Sequence, residues 1–189
     1  MAKPNATFLE ELTSAVQGCI ALVTGKRDAP SYFDFSQRGL LGSLIAVVLG
    51  IAIAGFGPLL VGVPLPQGAA TQSIIVNAVL FLAQAGTAYV ALRQMSRQDG
   101  FLPYFVASNW VTLVSAILLL LSFMLGPLGM IVLLGVVIVA IATFINIGRL
   151  IVTLTPVQIG ILFVSQAVGV FLALGIVAVL LGPSATAAG

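Results

Sequence analysis

Long apolar stretches separated by short polar breaks make up most of this chain. A helix that crosses a hydrocarbon core of ~30 Å needs about 20 mostly apolar residues. Five stretches reach that length, and the helices that they predict run over residues 39–62, 71–92, 105–125, 128–148 and 157–181. The pattern therefore predicts an all-α, polytopic membrane protein with a five-helix transmembrane domain over residues 39–182.

The shortest break lies between the third and fourth predicted helices, where only Gly126 and Pro127 interrupt the apolar sequence. The run over 105–148 is 44 residues long, which is too long for one crossing and suits two. Proline also disfavours the helical conformation in the residue before it. We therefore expect a tight hairpin at this dipeptide.

Composition supports a membrane protein and removes several kinds of site. The 189 residues are 60% hydrophobic and 6% charged, whereas soluble domains average about 25% charged residues. Because the chain has no histidine and one cysteine, Cys19, it lacks the usual proton shuttle and any cysteine-based metal site. We expect no cofactor. The net charge of +2 and the lack of a basic run argue against a nucleic-acid partner.

The charges also predict the orientation. With five crossings, all seven basic residues fall on one side of the membrane: Lys3, Lys26, Arg27, Arg38, Arg93, Arg97 and Arg149. The positive-inside rule places that side in the cytoplasm, with the short tail 183–189 outside. The aromatic side chains Tyr32, Tyr89, Tyr104 and Trp110 are expected at the cytoplasmic boundary, where amphipathic rings prefer to lie.

The cytoplasmic segment 1–38 contains a predicted amphipathic helix over residues 7–24. Thr7 and Glu10 have the spacing of a capping box, and Gly25 is a plausible stop. Glu10 and Glu11 fall on the polar face, and Cys19 falls on the apolar face as a buried free thiol. This helix suits the membrane interface, either as a brace beneath the bundle or as a helix that docks a partner or senses lipid.

Ionisable side chains are missing from the apolar body of every predicted crossing. Proton-coupled transporters and pumps usually need a carboxylate or histidine at that depth. Aspartyl and metal-dependent intramembrane proteases need such groups too, and a Ser/His hydrolase needs a base. The sequence therefore favours a protein that is not an enzyme.

Uncharged polar and small residues remain within the crossings. The amides are Asn77, Gln84, Asn109, Asn146 and Gln166, which serve either as hydrogen-bonding contacts between helices or as the lining of a polar path. Small residues recur at four-residue spacing in the first crossing (Gly42, Ala46, Gly50, Ala54) and in the fifth (Ser165, Gly169, Ala173). These rows allow close helix packing, within one chain or between chains.

Three arginines at the cytoplasmic ends of the crossings are candidate contacts for lipid headgroups. Arg93 and Arg97 follow the second crossing, and Arg149 follows the fourth. An arginine at this depth attracts anionic lipid by about 1 kcal/mol.

The layout resembles that of bacterial members of the Yip-type (Ypt-interacting protein) membrane family over residues 30–182. The shared features are the aromatic-acidic patch Tyr32-Phe33-Asp34-Phe35, five closely spaced helices, a short polar loop after the second helix and a very short exterior tail. The region from Arg97 to Asn109-Trp110 is similar to small inner-membrane proteins of proteobacteria. The resemblance implies a non-enzymatic protein of the bacterial inner membrane.

Two functions follow from these features. We expect a scaffold, an accessory subunit of a larger membrane complex or a membrane-organising protein, with lipids, other membrane proteins or further copies of the chain as partners. The alternative is a channel or facilitator for an uncharged or lipid-like solute. That alternative requires Asn77, Gln84, Asn109 and Asn146 to converge on one cavity.

Overall fold

The computed structural model describes residues 7–181, and within that range all regular secondary structure is helical. The helices are α1 (Phe8–Val23), α2 (Gln37–Leu60), α3 (Ala69–Gln94), α4 (Phe101–Met124), α5 (Gly129–Asn146) and α6 (Pro156–Leu181). The five helices α2 to α6 are long and apolar enough to cross a membrane, which confirms the predicted number of helices of that length and composition. The predicted tail 183–189 and Lys3 lie outside the described residues.

Helix α1 begins and ends at the residues that its sequence indicates. The Thr7 backbone amide donates to the Glu10 carboxylate at 2.7 Å, and the Glu10 amide donates to the Thr7 hydroxyl at 3.4 Å. At the other end, Gly25 has φ +66°, a left-handed conformation that glycine adopts without steric cost. The Lys26 amide then donates to the Ala21 carbonyl at 2.9 Å and closes the last turn.

Helix α1 packs against the ends of α4 and α5, and this contact changes the environment of the aromatic residues. The ring of Phe8 lies 5.8 Å from that of Trp110, which is only 1% exposed, and Tyr104 is 7% exposed. Both rings therefore belong to the core of the bundle. Phe8 of α1 covers Trp110, whereas the Tyr104 hydroxyl lies 3.4 Å from Gln166 of α6.

The five long helices form an open arc in the order α6, α3, α2, α4, α5. At the two ends of the arc, α5 and α6 meet through the edge-to-face rings of Phe144 and Phe163, whose centroids are 5.7 Å apart. Short connections join the helices: a 3-10 turn, Gly126–Leu128, forms the hairpin between α4 and α5, and a π-helical turn, Ile147–Ile151, follows α5.

Both rows of small residues pack within the chain. A Cβ atom added at Gly50 would lie 3.5 Å from the Cα of Leu113, so α2 and α4 approach closely along the first row. In the second row, a Cβ at Gly169 would lie 2.5 Å from the methyl group of Thr87, and Ala173 is buried. Gly50 thus serves the α2–α4 contact and Gly169 the α3–α6 contact, whereas Gly42 of the first row faces Glu11 of α1.

Candidate functional site

The buried amide of Asn109 joins α4 to α2. Its Nδ2 atom donates to the Ser43 hydroxyl at 3.1 Å, and both side chains are almost fully buried. The Ser43 hydroxyl in turn donates to the Leu40 carbonyl at 2.8 Å. Because a hydrogen bond in an apolar environment has no water to compete with, this chain fixes the register of the two central helices.

Asn146, the last residue of α5, holds the end of α1. Its Nδ2 atom donates to the carbonyl of Leu22 at 2.7 Å. The Leu22 carbonyl lies in the last turn of α1 and also accepts a bond from the Gly25 amide at 3.1 Å, so Asn146 adds a second hydrogen bond to it. Asn146 therefore fixes α1 to the transmembrane bundle.

Gln166 joins three helices at once. Its Nε2 atom donates to the Gln84 carbonyl of α3 at 2.9 Å and lies 3.4 Å from the Tyr104 hydroxyl of α4. Its Oε1 atom accepts a bond from Thr87 of α3 at 3.4 Å. Gln166 is thus the main polar contact between α6 and the rest of the arc.

Asn77 belongs to a smaller network that begins at a proline. Pro58 lies within α2 and has no N–H to donate to the carbonyl of Ala54, four residues earlier. The hydroxyl of Ser73 on α3 donates to that carbonyl at 3.2 Å, and Asn77 donates to the Ser73 carbonyl at 2.8 Å. Helix α2 therefore continues to Leu60 rather than breaking at the Gly55–Pro58 segment.

A cavity of about 590 Å³ lies between α2, α3, α4 and α5. Its wall is mainly apolar, with polar contributions that include Asn77, Gln84, Tyr104, Thr112, Ser115 and Thr143. The hydroxyls of Thr112 and Thr143 donate to carbonyls of their own helices. Of the four amides that a solute path requires, Asn77 and Gln84 line this cavity, whereas Asn109 and Asn146 point to other partners.

Arg97 differs from the other two candidate lipid contacts. Its guanidinium donates to the carbonyl of Thr153 at 3.0 Å, to the Thr153 hydroxyl at 2.9 Å and to the carbonyl of Val152. It also lies 3.7 Å from the Asp99 carboxylate. Arg97 therefore ties the α3–α4 connection to the α5–α6 connection, a role that the sequence did not indicate because the partners are far apart along the chain. Arg93 and Arg149 are exposed.

Glu11 is a second residue whose role the sequence did not indicate. Its carboxylate packs against α2, where a Cβ atom at Gly42 would lie 2.5 Å from the carboxylate oxygens. Its Oε1 atom is buried without a hydrogen-bond partner. Burial, and secondly the nearby Asp34, raise the pKa of Glu11, while Arg38 opposes that change. The polar face of α1 is thus partly an interface with α2.

Cys19 lies on the buried side of α1, as predicted. Burial raises the pKa of its thiol to about 12, so the thiolate is scarce at neutral pH. Within residues 7–181, no group of three or more His, Cys, Asp or Glu side chains is placed to hold a metal ion.

No family model, curated protein or solved structure shows significant similarity to this chain.

Proposed function

We propose that the protein is a non-catalytic integral membrane protein that acts as a scaffold or as an accessory subunit of a larger membrane complex. The observation that carries this proposal is the use of three side-chain amides, one buried and two half-buried. Asn109, Asn146 and Gln166 each bond to a neighbouring helix and stand outside the cavity wall. These three amides therefore serve packing, which suits a protein that acts through its shape and its partners.

The same proposal includes the orientation and the location. The described basic residues, from Lys26 to Arg149, lie on connections or in the terminal turns of helices at one end of the bundle, which supports a cytoplasmic N-terminal side in a bacterial inner membrane. Helix α1, with its polar residues turned partly outward, would lie at that interface beneath α4 and α5. This layout is also what membership of the Yip-type family would require.

The mass of the protein particle extracted under native conditions tests the scaffold proposal. The full chain is extracted in several mild detergents and in lipid-preserving polymer discs, and the mass of the particle is measured with its protein composition. We expect a reproducible particle heavier than one 19.4 kDa chain, containing a second copy or a membrane protein in fixed ratio. A monodisperse single chain under every condition would contradict the proposal.

We also infer a second candidate function, a binder or facilitator of an uncharged, lipid-like solute. The specific observation is the 590 Å³ cavity, where Asn77 and Gln84 add amides to a mainly apolar wall. Pockets of this size and character accommodate small organic ligands.

Flux of an uncharged solute such as glycerol into proteoliposomes distinguishes the two functions. Ala140→Phe would fill the cavity, and Ile138→Phe, at a position that is 67% exposed on the same helix, is the matched control. Flux above that of protein-free vesicles, lost in Ala140→Phe and kept in Ile138→Phe, would support the facilitator. Equal flux with and without protein would exclude the facilitator function.

A further inference from the structure

An apolar groove separates α5 from α6 at the end of the bundle where Arg149 lies. Its volume is about 820 Å³. The walls are formed by Ile141, Phe144 and Ile145 of α5 and by Ile159, Gly160 and Phe163 of α6, and Arg149 contributes the charged group at the rim. The groove exists because the arc of helices leaves its two end members joined over only part of their length.

The dimensions of the groove suit a lipid chain. Pro156 and Phe163, which both line it, are seven residues apart on α6, so the groove extends for about 10 Å along the helix. It therefore runs from the helix ends toward the middle of the hydrocarbon layer. Gly160 keeps it open, since a Cβ atom there would meet no atom within 4 Å.

The charge at the rim is available to a ligand. Arg149 is exposed, and its guanidinium makes no hydrogen bond or salt bridge to any residue of the described chain, 7–181. Arg97, by contrast, directs its donors to the carbonyls of Val152 and Thr153. A guanidinium that has no carboxylate partner and stands at the mouth of an apolar groove is complementary to a phosphate attached to an acyl chain.

We propose that this groove binds one anionic phospholipid, with its phosphate on Arg149 and one acyl chain between α5 and α6. The site rests on the membrane location given under the proposed function but not on the scaffold role. It selects Arg149 from the three candidate headgroup contacts, because Arg149 combines an unengaged guanidinium with an adjoining apolar groove.

The test measures lipid that stays bound to the full-length protein. The chain is purified in a neutral detergent with equal amounts of phosphatidylglycerol and phosphatidylcholine, and native mass spectrometry counts the retained lipids. We expect one phosphatidylglycerol per chain in preference to phosphatidylcholine, and Arg149→Gln should lower its affinity about fivefold. Gly160→Leu should displace the acyl chain and lower retention as well.

Matched variants make the result specific. Arg27→Gln removes another exposed arginine, and Gly175→Leu adds the same side chain to α6 at a second open glycine, so both should retain lipid as the unaltered chain does. Arg149→Lys keeps the positive charge at the rim, so lipid retention by this variant shows that the site is folded. Circular dichroism and elution volume confirm that each variant folds. The protein composition of the particle should not change, which separates this site from the scaffold proposal.

Several outcomes would overturn the lipid site. Unchanged lipid retention in Arg149→Gln would show that the headgroup does not bind Arg149. Unchanged retention in Gly160→Leu would show that the acyl chain does not occupy the groove. An equal loss in Arg27→Gln would show a general effect of surface charge. Competition by inorganic phosphate at the concentration of the lipid would indicate a free phosphate site instead.

Discussion

The pKa values of Glu11 and Cys19 are set by the packing of the short helix α1 against the long helices. Both lie on α1, and both are changed by the contact with the transmembrane bundle, which buries the Cys19 thiol and places the Glu11 carboxylate against Gly42. Desolvation disfavours the ionised form of each group, so both pKa values rise. Docking of α1 is therefore linked to proton binding at Glu11.

The pH dependence of α1 docking follows from the sign of that shift. A carboxyl group with a raised pKa in the folded state stabilises the fold below its ordinary value of 4.5, and this contribution is lost as pH rises through the folded pKa. Asp34 strengthens the effect and Arg38 weakens it. We expect α1 to dock more firmly at pH 4.5 than at pH 8, where the ionised carboxylate opposes burial.

Trp110 reports this docking because it is the single tryptophan of the chain and its ring lies against Phe8 of α1. Its emission should move to longer wavelength as pH rises. Glu11→Gln should abolish the pH dependence and strengthen docking at pH 8, because the amide carries no charge to desolvate. Asp28→Asn removes an exposed carboxylate as the control, and a pH dependence that persists in Glu11→Gln would contradict the assignment.

Pairs of helices are held in register by one or two polar bonds each. Asn109 joins α4 to α2, Asn146 joins α5 to α1, and Gln166 joins α6 to α3. Because apolar side chains gain little from association within lipid, these bonds and the close contacts at small residues supply much of the specificity.

The contribution of Asn109 can be measured directly. Asn109→Ala should lower the free energy of unfolding in mixed micelles by about 0.6 kcal/mol, and by at most about 2 kcal/mol, the range for interhelical bonds in membranes. Gln84→Ala is the control, since its side chain is exposed and should cost little. If Ser43→Ala and Asn109→Ala lower stability additively, the 3.1 Å bond between their side chains carries no coupling and the assignment fails.

Arg97 connects two loops rather than two helices. Arg97→Gln should release the α5–α6 connection, where Leu154 donates its amide to Gly148 at 2.8 Å, and hydrogen exchange at Leu154 should accelerate about fivefold, equivalent to about 1 kcal/mol. Arg97→Lys should restore protection only in part, because an ammonium lacks the planar fork of donors. Equal exchange in Arg97→Gln and in the control Arg93→Gln would refute this connection.

At the scale of the whole molecule, the features encoded by local patterns were predictable from the sequence. Five crossings follow from apolar length, the start of α1 from the Thr7–Glu10 capping box and the hairpin from Gly126-Pro127. These features depend on residues that are close along the chain.

Features that depend on distant residues were not predictable. The burial of Trp110 requires α1 to cover α4, and Arg97 finds its partners 55 and 56 residues away. The sequence also grouped four amides into one possible path, of which only Asn77 and Gln84 share a cavity. Hydropathy specifies that a helix crosses the membrane, but the neighbour it selects depends on packing between faces that no local pattern describes.

We infer that polar side chains within the membrane hold helices together and do not line a water-filled path. The most direct measurement is the labelling of Ser115→Cys, in a Cys19→Ala background, by a membrane-impermeant maleimide added to each side of sealed vesicles. Ser115 lines the cavity, and Ser31→Cys, at an exposed position outside the long helices, is the control. We expect Ser31→Cys to be labelled from one side and Ser115→Cys from neither. Labelling of Ser115→Cys from either side would reveal water at that depth and show that the cavity is part of a water-filled path.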